Sequence, residues 1–170
     1  MKNIVITILV LSITVIVLSF METDFEKEPV EIIESVEEVS EEITFNYPDF
    51  GEYDQQEVLL GEETFVWYIA DTEEKRATGL SGQIELEDSE GLLFIFESSS
   101  AYGFWMKDMN FSIDIIWINE AKEIVHIEEN VAPDTYPTVF YPQEQALYIL
   151  ELFKGRSSEL GISVGDMLEF

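Results

Sequence analysis

Hydrophobic and polar positions divide the chain into three zones. From Ile4 to Phe20 seventeen residues pass without a charge, enough as a helix for roughly 25 Å, slightly short of a bilayer core. Lys2 precedes this run and Glu22 follows it. By the positive-inside rule that asymmetry predicts a cytoplasmic amino terminus with the remainder outside. Residues 1–21 are expected to be a transmembrane anchor, a cleaved signal peptide ending near Val17-Leu18-Ser19, or, less simply, a buried helix. Residues 22–57 change character: acids recur, and Ile32, Val36, Val39 and Ile43 make an a/d-like stripe under two heptads long. That is too short for a coiled coil, and an acidic linker, disordered or partly helical, is expected. "NYPDFGEYDQQ" (46–56) carries breakers that close it.

Residues 58–170 alternate as a folded domain. "TFVWYIA" (64–70), "GLLFIF" (91–96), "FSIDIIWI" (111–118), "EIVHIEEN" (123–130), "ALYILEL" (146–152) and "DMLEF" (166–170) read as strands. The turn "NEAKE" (119–123) makes 111–130 a hairpin. "DTEEKRATGL" (71–80) opens with a capping Asp71 or Thr72, puts acids in its first turn and ends at Gly79, so it predicts a helix. "GRSSELGI" (155–162) predicts one further turn. Many short strands with one or two short helices give a mainly β class, a compact barrel- or sandwich-like domain.

Composition narrows the function. The 170 residues carry 36 acids against 8 bases, a net charge of −28, with no cysteine and one histidine. Residues 22–63 hold 16 acids against the single Lys27, and residues 64–170 hold 20 against six bases. Nucleic acid is excluded as a partner, since phosphate binding draws on clustered Lys and Arg. Without cysteine there is no disulfide, thiolate catalysis or Cys-ligated zinc. No Walker loop, dinucleotide fingerprint or G-x-S-x-G elbow occurs, and "EDSEG" (87–91) lacks calcium-loop spacing, so neither cofactor nor metal is expected. His126 reads as an ordinary strand residue.

The informative stretch is "YGFWMKDMNFSIDIIWI" (102–118). In an extended strand Phe111, Ile113, Ile115 and Trp117 share one face and Ser112, Asp114, Ile116 and Ile118 the other. Both faces are apolar, so the strand is central and Asp114 is buried among isoleucines. A carboxylate there needs partners or a raised pKa. Arg76 and Lys107 are the expected bases for a structural ion pair; a pocket carboxylate is the functional alternative. Trp105, Met106 and Lys107 read as core, or as a pocket wall with a polar handle.

In their order, "ADTEEKRATGL", "GLLFIF", "FWMKDM", "IDIIWI", "IVHI", "YILEL" and "GISVGD" make the chain resemble the uncharacterised family called domain of unknown function 192. The resemblance spans about 100 residues and implies a small, mostly β domain, often behind a secretion signal or anchor, with no established activity. It departs from the family's pattern at Ser81-Gly82-Gln83, where Met and Arg are usual, at Ser112 for Pro, and at Asp108 for Asn. If the family's pocket holds an anion through that Arg, this chain lacks the means. Arg76, Trp105, Lys107, Asp114 and Glu151 match the pattern and are the expected binding residues, with no catalytic residue assigned.

Three functions are weighed. The first is a cell-membrane-tethered, extracytoplasmic module, held by residues 4–20 (or secreted if the signal is cleaved), that binds a small molecule, envelope glycan or protein. The second is an envelope hydrolase using Asp114 or Glu151 with Arg76 or Lys107. The third is a structural or assembly protein without a pocket.

Overall fold

The computed structural model describes residues 50–170. The expected anchor (1–21) and most of the expected linker lie outside the described residues. Six strands form one sheet: β1 (Asp54–Leu60), β2 (Glu63–Ala70), β3 (Glu90–Ser100), β4 (Ile113–Ile118), β5 (Ile124–Val131) and β6 (Ala146–Phe153). A 3-10 turn at Phe50–Glu52 precedes β1, so ordered structure begins within the stretch read as linker. Two short helices complete the fold, α1 (Glu73–Thr78) and α2 (Arg156–Glu159).

The spatial order is β1-β2-β3-β6-β4-β5. The sheet is open, with β1 and β5 as its edges, which corrects the barrel- or sandwich-like expectation. The reason is the placement of β6. It pairs antiparallel with both β3 and β4, so it joins two strand groups side by side and leaves the outer edges apart. Only β2 and β3 run parallel. A parallel pair needs a crossover, and α1 with the 79–89 segment supplies it.

The apolar runs explain why both faces are covered. Every residue of β4 is buried, as a two-faced apolar strand must be. On one face Tyr68, Leu92, Phe94, Ile113, Ile115, Trp117 and Ile149 pack with Leu80, Leu86 and Met106 from the connections. On the other, Phe65, Trp67, Leu93, Ile116, Ile118, Leu150 and Leu152 pack with Leu168, Leu160 and Ile162 from the C-terminal segment. Among the described residues no second sheet is involved; connecting segments cover each face.

Local signals held at α1. Thr72 caps it, its Oγ1 accepting from Lys75 N at 3.2 Å, and Gly79 ends it at φ 54°. The hairpin of β4 and β5 also forms as expected, its turn closed by Lys122 at φ 67°. The expected strand at 166–170 is not one. A single bridge, Glu123 to Met167, and a Leu168 N to Lys122 O bond hold that segment. Conversely, β1 was not expected. Its first four residues are exposed, so Gln55, Gln56 and Glu57 give it none of the alternation that marks a half-buried strand.

Candidate functional site

The two acidic residues of the central strands lie on opposite sides of the sheet. Asp114 is opposite Leu152, and Glu151 is opposite Leu92 and Ile115. Alternation therefore sends Asp114 to the face of Leu150 and Leu152, and Glu151 to the face of Ile149.

Asp114 is fully buried and pairs with no base, which corrects the expected ion pair with Arg76 or Lys107. Its Oδ1 accepts from Asn130 N at 2.8 Å and Gly155 N at 2.9 Å. Its Oδ2 accepts from Ser157 N at 2.9 Å and Ser157 Oγ at 2.6 Å. Four donors satisfy the carboxylate without a cation. Asn130 and Gly155 both sit at positive φ, 54° and 82°, which turns their N–H groups inward. Asp114 thus ties the end of β5 to the start of α2. It lines no cleft.

Glu151 has the opposite surroundings. It is 5% exposed, and its Oε2 has no hydrogen-bond partner. Burial raises its pKa from 4.5 to about 8, because desolvation penalises the charged form and no neighbouring cation offsets it. At neutral pH it is mainly a carboxylic acid.

It lines an open cleft of about 410 Å³, beside the C-terminal end of α1. Phe94, Phe96, Tyr102, Phe104 and Trp105 give the cleft aromatic walls, and Glu73 and Arg76 give it charge. The rings lock one another. Phe104 meets Phe94 edge-on at 4.8 Å, and Tyr102 stacks on Phe96 at 3.6 Å between centroids. The 102–105 segment is fixed by a two-way backbone bridge between Phe104 and Phe140 and by Trp117 Nε1 donating to Tyr102 O at 2.9 Å. Gly103 allows the approach, since a Cβ there would meet the Tyr141 ring at 2.4 Å.

Three of the five expected residues, Arg76, Trp105 and Glu151, meet at this cleft. Arg76 Nη1 donates to Asp71 O at 2.6 Å and Ile95 O at 2.8 Å, and its guanidinium lies 5.0 Å from the Phe96 ring centre. Trp105 is 54% exposed at the mouth, edge-on to Tyr136. Lys107 and Asp114 do not join them. Lys107 is exposed, and its nearest acid is Asp108 at 4.0 Å. What matters at 107 is the backbone, whose carbonyl accepts from Ser81 Oγ at 3.0 Å. Beside it Asp108, at φ 56°, occupies a left-handed position that Asn and Asp both tolerate.

Sequence reasoning missed Phe96, Tyr102 and Phe104 as cleft walls. Their only signal is the aromatic density of "FIFESSSAYGFW" (94–105) around one glycine. It also passed over Arg156, buried and bonded to Glu63 and Glu159 at 2.6 Å each and to Asp88 O at 2.9 Å. Those bonds raise its pKa, Glu159 most. His126 is half-buried beside Glu128, at 3.0 Å, as an ordinary strand residue. Among the described residues no group of three His, Asp or Glu is placed to hold a metal ion.

Comparison with known proteins gives a family and a fold. A crystal structure from Sinorhizobium meliloti 1021, described as a "putative transcription regulator", superposes with a TM-score of 0.63 at 26% identity. The match covers 69% of this chain and 94% of that one. A protein of unknown function from Novosphingobium aromaticivorans DSM 12444 superposes at 0.62 and 28% identity, over 69% and 85% of the two chains. No curated protein matches. The model of the family DUF192, described as "Uncharacterized ACR", matches residues 57–170, about two thirds of the chain and nearly all of the sheet. This chain therefore belongs to the domain of unknown function 192 family.

Proposed function

We propose that the domain is a small-molecule binding module, tethered at the extracytoplasmic face of the cell membrane by residues 4–20. The observation that carries the binding reading is Glu151. A buried carboxyl with an unpartnered oxygen costs stability, and this one opens on a preformed aromatic cleft. Ligand sites are commonly concave, mostly apolar and furnished with a few polar groups, and a group of raised pKa in a cleft marks a candidate site. The apolar run and the charge asymmetry at Lys2 and Glu22 support the tether.

A hydrolase that relies on Asp114 finds no support, because that carboxylate is saturated by four donors on the other face of the sheet. A purely structural role leaves Glu151 without an account. The neighbour described as a transcription regulator raises nucleic acid again, but a net charge of −28 repels a phosphate backbone.

The test is a thermal-shift screen of the full chain against amines, sugars, muropeptides, carboxylates and divalent metals. A ligand that prefers the folded state raises the melting temperature, and the rise shrinks in Glu151→Gln and Trp105→Ala. Silence across the whole panel, or shifts unchanged in both variants, refutes the binding reading.

A further inference from the structure

We infer that the cleft takes an organic cation, an ammonium group carried on an apolar body, with Glu151 as its counter-charge and the surrounding rings as its walls. This rests on the binding reading above and names the ligand class for that same site.

Three observations converge. Glu151 is 5% exposed, and its Oε2 is left without a donor. A cation seated in the cleft would set its charge against this carboxyl and offset the desolvation of the ionised form. Next, Phe94, Phe96, Tyr102, Phe104 and Trp105 line the same cleft, and aromatic faces attract cations, most strongly where water is excluded. Finally, residues 64–170 carry 20 acids against six bases, a field that draws cations in and turns anions away.

The one base on the cleft does not oppose this. Arg76 is held against the Phe96 ring with its Nη1 committed to two carbonyls, and Glu73, its neighbour one helical turn back, also lines the cleft. Glu73 and Arg76 from α1 and Tyr102 from the loop are the other titratable groups facing the cleft. Leu92 of β3 and Ile115 of β4, which flank Glu151 in the sheet, carry none. With Glu151 ionised, the cleft holds two carboxylates against one guanidinium.

Proton balance follows. The free cleft holds Glu151 protonated at neutral pH, since its pKa is about 8. As the cation enters, Glu151 releases its proton to solvent and keeps the charge. An anion or neutral ligand requires no such release.

The experiment uses the full chain and a matched set of probes: benzyltrimethylammonium, benzyl alcohol and benzoate. Binding is followed by ligand-observed NMR and calorimetry from pH 6 to pH 9. The permanent cation should bind best of the three. Its Kd should fall about tenfold from pH 6 to pH 7 and level off near pH 9. Calorimetry in two buffers of different ionisation enthalpy should report close to one proton released at pH 7. Glu151→Gln, which keeps size and polarity, should remove the pH dependence and weaken cation binding at least tenfold at pH 8.5. Tighter binding of benzoate or benzyl alcohol, a flat pH profile, or full cation affinity in Glu151→Gln overturns the inference. So does no binding of the cation at millimolar concentration. If the broader screen then finds another ligand that depends on Glu151, the cleft remains a binding site and only the class is wrong. If that screen is silent too, both fall.

Discussion

Asp114 and Glu151 sit on adjacent strands of one sheet, both at or below 5% exposure, and they have opposite environments. Asp114 collects four donors on its face; Glu151 on its own face leaves Oε2 with none. The difference lies in what covers each face. Over Asp114 the chain bends sharply at Asn130 and Gly155 and presents N–H groups. Over Glu151 the covering segment presents aromatic rings. Burial alone thus does not tell a saturated carboxylate from an unsatisfied one; the supply of donors does.

The strongest way to break this comparison is to remove the satisfied carboxylate. Asp114→Ala strands the buried N–H and hydroxyl of Ser157 and takes the acceptor from the part-buried N–H groups of Asn130 and Gly155. At about 1–3 kcal/mol for each unsatisfied group, it should cost about 5 kcal/mol or more and leave little folded protein at 37 °C by circular dichroism. A melting temperature within about two degrees of wild type would show that water replaces the carboxylate and that the cluster is dispensable.

Glu151 should behave in the reverse sense. Its folded pKa is raised above the unfolded value, so between pH 4.5 and 8 the native state binds the extra proton. Stability is then highest at acid pH and falls as pH rises through that window, with no further loss above about pH 8. At about 1.4 kcal/mol per unit the loss is on the order of 5 kcal/mol. Glu151→Gln should abolish this slope, matching wild type near pH 4.5 and exceeding it at pH 8.5. Urea denaturation at the two pH values decides; parallel slopes in wild type and variant would mean that Glu151 finds a partner in solution.

Arg156 sharpens the comparison by a smaller amount. Its Glu63 and Glu159 partners are 56% and 65% exposed on their side chains, so Arg156→Met returns them to water rather than stranding them. A loss of about 1–2 kcal/mol is expected, against the 3–5 kcal/mol of a fully buried pair that loses one member. The smallest effect belongs to Trp105→Ala. At 54% exposure it should move the melting temperature by under about two degrees while weakening any ligand of the cleft, and Lys107→Ala should change neither.

Much of this was legible in the sequence. The two apolar faces of 113–118 placed β4 at the centre and buried Asp114. Thr72 and Gly79 bounded α1. Glu151 came only with the family resemblance that "YILEL" helps to carry. What failed did so for specific reasons. Asp114 was expected to find a base because side chains are what a sequence displays; its partners are mainly backbone N–H groups turned inward by positive φ, which no spacing announces. Sheet closure was misjudged because it depends on β6 entering between β3 and β4, a non-local choice. The edge strand β1 was missed because its solvated residues do not alternate.

That insertion of β6 also sets an order of assembly. Until Ala146–Phe153 has been made, β1-β2-β3 and β4-β5 have no strand in common, and β3 and β4 each present an open row of peptide groups. The emerging polypeptide therefore carries two sticky half-sheets that a late segment must fasten together. A chain halted before Ala146 would retain both exposed rims, a state prone to edge-to-edge association, and Glu151, which belongs to the fastening strand, would be missing from it.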